Sequence, residues 1–184
     1  SNKKLMSSLK TDAKEYGSYS LEIMVGNTNR EESQDAAKKI ASGRTNNVND
    51  YIIEVTDAGN IIINAASDLA LEDAVDYFIK TFAQRSTAII PVDYYRYYKP
   101  TLVADGGYLA GVDIKSYTIV MPRDKSYIYS RKVEDLVNTV RNAIGYIMPV
   151  ADDTTKETTY EILVGDTNRT QSGGTLGADK YILK

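Results

Sequence analysis

The chain has 184 residues, with 22 basic and 25 acidic side chains, a net charge of −3, and neither histidine nor cysteine. This composition excludes Ser-His-Asp and Cys-His nucleophiles, histidine metal sites, disulfides and thiolate chemistry within the chain. The balanced charge argues against a nucleic-acid partner, which selects a basic surface, and no apolar run approaches the length of a membrane span. We therefore expect no catalytic residue, cofactor or metal site here, although chemistry by aspartate or glutamate alone stays open.

The first predicted elements are a strand and a helix. Residues 1–18 are polar with a few apolar positions, which indicates either a strand that precedes the next elements or a frayed end. An apolar strand at 21–25 follows and ends at Gly26. The segment 31–42 then has alanine and isoleucine at helical spacing, which predicts a helix that ends at Gly43.

A hairpin and a second helix come next. Two branched runs at 51–55 and 61–63 flank the turn-forming residues 57–60, which predicts a β-hairpin. Ser67 or Asp68 can cap the helix that follows. This helix should run from about 69 to 83, because its apolar residues recur at helical spacing. The residues of that stripe are Leu71, Val75, Phe78 and Phe82.

A tyrosine-rich segment between Pro91 and Pro100 interrupts the alternation of strands and helices. Each tyrosine ring has apolar faces and a polar tip, so the rings can pack in a connector between two lobes or stack on sugar rings. We favour the connector and keep carbohydrate contact as the alternative. The four residues of this tyrosine cluster are Tyr94, Tyr95, Tyr97 and Tyr98.

The second half of the chain begins with a strand at 117–121 and a long helix at about 130–144. A short strand at 147–150 contains Pro149, which indicates an edge position because proline cannot donate to a neighbouring strand. A further strand at 181–183 is similar to the first strand of the hairpin. The apolar face of the long helix consists of Val133, Leu136, Val137, Val140 and Ile144.

One stretch of the chain occurs twice. Leu21–Arg30 returns as Tyr160–Arg169, 139 residues later, with the pattern Glu-Ile-x-Val-Gly-(Asn/Asp)-Thr-Asn-Arg. So long a match indicates a repeated domain element: an apolar strand, a glycine at which the chain turns, capping residues, and an arginine. The motif residues are Gly26, Asn27, Thr28, Asn29 and Arg30 in the first copy, and Gly165, Asp166, Thr167, Asn168 and Arg169 in the second.

The arginine of this motif allows two interpretations. Its planar fork of donors suits a carboxylate or carbonyl oxygens, which are found both within folds and on ligands. We favour a structural role, because loops of this composition usually cap something local. We therefore expect Arg30 and Arg169 to bond backbone carbonyls or a nearby carboxylate and to leave no open ligand pocket.

The order of elements in the second half carries a resemblance. Asp113-Ile114-x-x-Tyr117-Thr118-Ile119-Val120 is followed by a helix, a Pro-Val-x-Asp strand, the motif and a Tyr-Ile strand. This resembles the non-catalytic α/β domain that precedes the catalytic barrel in bacterial β-hexosaminidases and α-glucuronidases, the hexosaminidase domain 2-like fold. The resemblance covers most of the chain outside 86–111. Related copies occur in large secreted proteins of anaerobic Gram-positive bacteria.

The resemblance implies an accessory role. In that family the domain supports a neighbour and the catalytic carboxylates lie in the barrel, so no catalytic residue is transferred to this chain. A barrel of eight strand–helix units needs about 200 residues or more, and none is present here. The motif is typical of the domain and says nothing about substrate.

For the fold, we predict an α/β (α+β) class with a mixed, mostly antiparallel sheet and two main helices packed on one side. The first partial repeat is 1–90, the tyrosine-rich connector 91–111, and the second partial repeat 112–184. Each repeat lacks elements that the other has, so we expect the halves to associate in one sheet. Leu71, Val75 and Phe78 would then share a core with Val133, Leu136 and Val140. An open sheet edge could also pair two copies as a homodimer.

For function, we predict a non-catalytic accessory module of a secreted bacterial carbohydrate-active protein. Its partners would be neighbouring domains of a larger, extracellular or cell-surface parent protein. The first alternative is a carbohydrate-binding module that uses the tyrosine cluster to hold a glycan. The second is a glycosidase fragment that uses aspartate or glutamate only.

Overall fold

The computed structural model describes residues 11–12, 21–84, 89–124 and 127–172. The chain divides into two compact units, Ser1–Thr101 and Leu102–Lys184. This division falls inside the connector that we predicted at 91–111. Most of the predicted opening segment and the predicted strand at 181–183 lie outside the described residues.

The first unit is built around a four-stranded sheet with the order β1-β3-β2-β4. Strand β1 runs parallel to β3, and β2 runs antiparallel to both β3 and β4. This sheet is therefore mixed and mostly antiparallel, as predicted. The strands and helices of the first unit are β1 (Ile23–Val25), α1 (Glu31–Ala41), β2 (Tyr51–Val55), β3 (Ile61–Ala65), α2 (Asp68–Phe78) and β4 (Tyr95–Tyr98).

Helices cover both faces of this sheet. Side chains alternate between faces along a strand, so Ile52 packs with Ala36 and Ile40 of α1, whereas Ile53 packs with Ala74 of α2. The central isoleucines of β2 and β3 are 0–2% exposed, which is the burial expected for strands covered on two sides; they are Ile52, Ile53, Ile62 and Ile63. The core of the first unit is thus two apolar layers divided by the sheet.

The hairpin and the second helix confirm the sequence-based predictions. Strands β2 and β3 pair in antiparallel register from Tyr51 opposite Ala65 to Val55 opposite Ile61. The hydroxyl of Ser67 accepts a hydrogen bond from the amide of Ala70 and caps α2. A π-helical turn, Ile79–Ala83, extends this helix to the predicted end.

The tyrosine-rich segment, predicted as a connector, contributes a strand to the first sheet. Strand β4 pairs with β2 from Tyr51 opposite Tyr98 to Glu54 opposite Tyr95. Tyrosine suits a half-buried strand surface, and its partner lies more than forty residues earlier in the chain, so local sequence signals gave no sign of the pairing.

The second unit contains a small hairpin and a three-stranded sheet with the order β8-β7-β9. Both strand pairs of the three-stranded sheet are parallel. Helix α3 begins three residues before the predicted start, and β8 begins directly after Pro149. The elements are β5 (Tyr108–Leu109), β6 (Val112–Asp113), β7 (Thr118–Met121), α3 (Tyr127–Ile144), β8 (Val150–Asp152) and β9 (Glu161–Leu163).

Helix α3 presents the apolar face that the sequence predicted. Val133, Val137, Val140 and Ile144 are at most 8% exposed, and Leu136 is half-buried. Strand β8 lies at an edge of the three-stranded sheet, as Pro149 indicated.

One prediction about the fold is wrong. Within the part of the chain that the structure describes, the strands of the two units form separate sheets. The two main helices of that prediction, at about 69–83 and 130–144, belong to different units. Within the first unit, α1 covers the face of the sheet opposite to α2. Leu71, Val75 and Phe78 pack against Tyr51, Ile53 and Ile63 of their own unit, so the first sheet has its own covering helix. The general class, mixed helix and sheet, is confirmed.

Candidate functional site

The two motif copies begin with the same backbone turn. Gly26 and Gly165 follow the motif strands and have φ values of +78° and +90°, a region that side-chain-bearing residues adopt only with strain. The amide of Gly26 still donates to the carbonyl of Ile63 at 2.9 Å. Each glycine therefore ends its strand by turning the chain out of the sheet.

A serine beyond the motif closes the turn in both copies. In the first unit the Ser33 hydroxyl accepts from the amide of Thr28 at 3.0 Å and donates to the carbonyl of Gly26 at 2.7 Å. In the second unit the Ser172 hydroxyl bonds the amide of Thr167 at 2.8 Å and the carbonyl of Gly165 at 3.0 Å. The motif is thus longer than the pattern we recognised and includes a serine three residues after the arginine.

The arginine of the first copy bonds within its own repeat. The Nε of Arg30 donates to Glu22 Oε2 at 3.0 Å and its Nη2 donates to Glu22 Oε1 at 3.3 Å. Its Nη1 donates to the side-chain oxygen of Asn29 at 2.7 Å. Glu22 lies just before β1 and Arg30 just before α1, so the ion pair connects the entry to the strand with the entry to the helix.

The arginine of the second copy uses all five of its N–H donors. Its Nε and one Nη2 donor bond both carboxylate oxygens of Glu161, at 2.8 and 3.1 Å. The other three bond the Asn168 side chain and the backbone carbonyls of Asp153 and Thr155, at 2.9–3.1 Å. Because Arg169 is 7% exposed and its donors are all occupied, an external acid would have to displace one of these partners.

The electrostatics of this pair follow from its geometry. The hydrogen bond from Arg169 lowers the pKa of Glu161, against the opposing effect of burial. The same bond raises the pKa of Arg169. Both side chains are thereby held in their charged forms, which is the condition for a buried ion pair to hold its loops together.

An aspartate from an earlier loop completes each copy. The amide of Asn29 donates to Asp12 Oδ2 at 3.0 Å, and the amide of Asn168 donates to Asp153 Oδ2 at 2.9 Å. Asp153 also accepts from the amide of Arg123 at 3.0 Å. The aspartate lies 17 residues before the asparagine in the first copy and 15 before it in the second.

These networks confirm that the arginines bond within the fold. They also explain why the residue after the glycine differs between the two copies. Asn27 and Asp166 are exposed, so either residue is tolerated there. The glutamate and serine partners occur at fixed spacing in both copies and were available in the sequence. The aspartate partners were not, because their distance from the motif differs between the copies.

The four predicted tyrosines do not form one surface. Tyr98 stacks on Tyr51 with ring centroids 4.7 Å apart, and Tyr94 meets Phe82 edge to face at 4.9 Å. Tyr97 packs against the core layer that contains α1. Tyr95 is the most exposed of the four, at 54%.

An arginine organises the tyrosines on the α2 side of the sheet. The guanidinium of Arg96 lies 4.2 Å from the ring centroid of Tyr77 and 5.2 Å from that of Tyr98, distances at which a cation is attracted to an aromatic face. The Tyr94 hydroxyl donates to that of Tyr77 at 3.3 Å. Burial and this hydrogen bond raise the pKa of Tyr94 to about 12. These contacts attach β4 to α2.

Two further features bear on function. Within the described ranges, no group of three or more acidic side chains is arranged to hold a metal ion. No helix of the described part of the chain has the length and apolar character needed to cross a membrane.

Comparison of the chain with protein-family models, with curated proteins and with solved structures finds no match. The function is therefore inferred from the residues and the geometry given above.

Proposed function

We propose that this chain is a non-catalytic accessory module of a secreted bacterial carbohydrate-active protein, where it supports a neighbouring domain at or outside the cell surface. The observation that carries the proposal is the set of hydrogen bonds that the motif makes. The arginines of its two copies, above all Arg169 with its five donors, bond within the fold. The residues of the repeated motif thus stabilise the fold.

The resemblance to the hexosaminidase domain 2-like fold supplies the context of the proposal. The support for it is the order of strand, long helix, edge strand and motif strand in the second unit. On this proposal each unit is a partial copy of that fold, and catalysis belongs to another domain of the parent protein.

The test is hydrolysis of a panel of aryl glycosides by the purified chain. We expect release of the aryl group at the rate of the buffer control. Turnover that follows the protein through purification, and that falls on substitution of an aspartate or glutamate by its amide, would contradict the proposal and favour a glycosidase fragment.

A carbohydrate-binding module is the second proposal, and one observation favours it. Tyr95 is 54% exposed on the edge strand β4, with Lys39 5.8 Å from its ring centroid. An exposed ring beside donors is a suitable platform for a sugar. The other tyrosines of the cluster have partners within the fold, so this proposal depends on Tyr95, with Tyr98 as a half-exposed neighbour on the opposite face of the strand.

A glycan array separates the two proposals. If the chain is a binding module, wild type binds a glycan and Tyr95→Ala abolishes the signal, whereas Tyr108→Ala leaves it unchanged. Tyr108 is the matched control, because it is 80% exposed but lies in the other unit. A wild-type signal that survives Tyr95→Ala would contradict the binding proposal.

A further inference from the structure

The two motif strands pair through opposite edges. In the first unit, the carbonyl of Glu22 accepts from Ile61 and the amide of Gly26 donates to Ile63, both at 2.9 Å. Backbone groups of successive residues in a strand point to alternate sides, so residues 22, 24 and 26 face β3. Residues 21, 23 and 25 direct their amides and carbonyls to the other side.

The second motif strand shows the reverse arrangement. The carbonyl of Tyr160 accepts from Thr118 at 3.1 Å and the amide of Val164 donates to Val120 at 2.9 Å. Residues 160, 162 and 164 therefore face β7. They are the equivalents of 21, 23 and 25, which direct their backbone groups away from β3 in the first unit.

In the second unit, β7 thus pairs with one edge of the motif strand. The equivalent edge in the first unit is the outer edge of β1. Strand β1 is terminal in its sheet, and among the described residues no strand pairs with this outer edge. An open parallel edge of this kind accepts a further strand, because its amides and carbonyls are arranged to pair.

The side chains of residues 21, 23 and 25 are exposed, as expected for a strand edge that has no partner strand among the described residues. Leu21, Ile23 and Val25 are 75%, 58% and 48% exposed. Their equivalents beside β7 are more covered: Tyr160 is 40% exposed, and Ile162 and Val164 are half-buried. The first unit therefore presents an apolar row along an open edge, at the positions that the second unit covers better.

We propose that the outer edge of β1 is a docking edge for an extended apolar strand of the β7 kind, Thr-Ile-Val-Met or similar, supplied by a separate polypeptide segment. The strand runs parallel to β1. Because β7 pairs Ile119 with Ile162, the docked residue equivalent to Ile119 lies opposite Ile23. The docking edge does not depend on the function proposed above.

A second copy of the chain is a less favourable partner for the outer edge of β1 than a strand from another segment. Strand β7 already pairs with β8 on one side and β9 on the other, so a second copy could offer it only by opening its own sheet. A strand from elsewhere has no such cost. The apolar composition of the edge selects an apolar strand, since three exposed branched side chains would be buried on docking.

The test uses a peptide with the sequence of residues 115–123, labelled at its amino terminus, and the full chain. Its terminal Lys115 and Arg123 equivalents keep the apolar centre soluble. We expect saturable binding by fluorescence anisotropy at concentrations below about 1 mM. The double variant Ile23→Lys, Val25→Lys should weaken binding at least about tenfold, because charged side chains block an edge.

The matched control is Ile89→Lys, Val92→Lys. These residues are 77% and 84% exposed in the same unit but outside the sheet, so their replacement should leave binding unchanged. A scrambled peptide of the same composition should not bind. Hydrogen exchange of β3 amides checks that each variant is folded.

Register is tested by disulfide trapping, since the chain has no cysteine of its own. Ile23→Cys in the chain should cross-link to a peptide with cysteine at the Ile119 position, and Val92→Cys should not. The proposal is overturned by the absence of saturable binding, or by binding that the β1 lysines do not weaken. It is also overturned if the chain alone self-associates and the β1 lysines abolish this, because the edge would then be filled by a second copy.

Discussion

The ion pair of the first motif leaves the side chains of Arg30 and Glu22 each 23% exposed, whereas in the second motif Arg169 and Glu161 are 6% and 7% exposed. The turn, the serine and the bonds between arginine and glutamate are otherwise alike in the two copies. In the second copy, the loop after β8 gives the backbone carbonyls of Asp153 and Thr155 to Arg169.

The two ion pairs show how the same motif is accommodated at two degrees of burial. A half-exposed ion pair contributes little beyond its hydrogen bonds, since water competes for both partners. A buried pair is tolerated only where every donor is satisfied, and in the second copy the loop after β8 supplies two of the acceptors of Arg169. The second copy should therefore be the more sensitive to loss of its arginine.

The largest expected effect is the loss of Arg169. Arg169→Ala leaves the buried Glu161 without its cation and should lower the Tm of the second unit by about 10 °C or more. Arg30→Ala removes bonds to a partly exposed carboxylate and should cost about 1–3 kcal/mol. Thermal unfolding by circular dichroism, with hydrogen exchange to assign each transition to a unit, measures both.

Lys38→Ala is the control for this comparison. Lys38 and Asp35 form an ion pair in which the side chains are 74% and 50% exposed, so its loss should leave the Tm nearly unchanged. An equal loss of stability from Arg30→Ala and Arg169→Ala would show that burial does not distinguish the two copies.

A smaller effect is expected at the glycines. An added Cβ at Gly165 would lie 3.3 Å from Cδ of Pro122, and one at Gly26 would lie 3.4 Å from Cδ2 of Leu71. Both φ values are positive, so alanine should cost about 1–2 kcal/mol at either site. The cost should be larger at Gly165, because a proline ring yields less than a leucine side chain. Urea unfolding of the two variants tests this order, and a larger cost for Gly26→Ala would contradict it.

The smallest expected effect is a pH dependence of the second unit. Arg169 holds the pKa of Glu161 below its ordinary value of 4.5. The stability from this pair is therefore fully present above pH 4.5 and is lost as the pH falls through the lowered pKa of the folded state. Glu161→Gln should make the Tm of the second unit decline less steeply below pH 4.5. A decline as steep as that of wild type would show that another carboxylate is responsible.

Local signals in the sequence predicted much of this fold. The hairpin, helices α1, α2 and α3, the cap at Ser67 and the edge position of β8 follow from periodicity, turn chemistry and the properties of proline. The structural role of the arginines was also predictable, because loops of this composition usually cap something local.

Long-range pairing was not predictable in the same way. Strand β4 joins β2 across more than forty residues, and the choice of edge by each motif strand depends on which neighbour is present. Identical Glu-Ile-x-Val-Gly segments pair through opposite edges, so no property of the segment itself encodes the choice. The aspartate partners, Asp12 and Asp153, escaped recognition because their spacing from the motif is not constant.

We infer that the motif stabilises the fold and does not bind a ligand. The double variant Arg30→Ala, Arg169→Ala and wild type can be compared in two ways, by urea unfolding and by binding to an array of neutral and acidic glycans. Our account predicts a lower unfolding midpoint for the variant and no loss of any acidic-glycan signal. An unchanged midpoint, together with the loss of an acidic glycan that wild type binds, would contradict it.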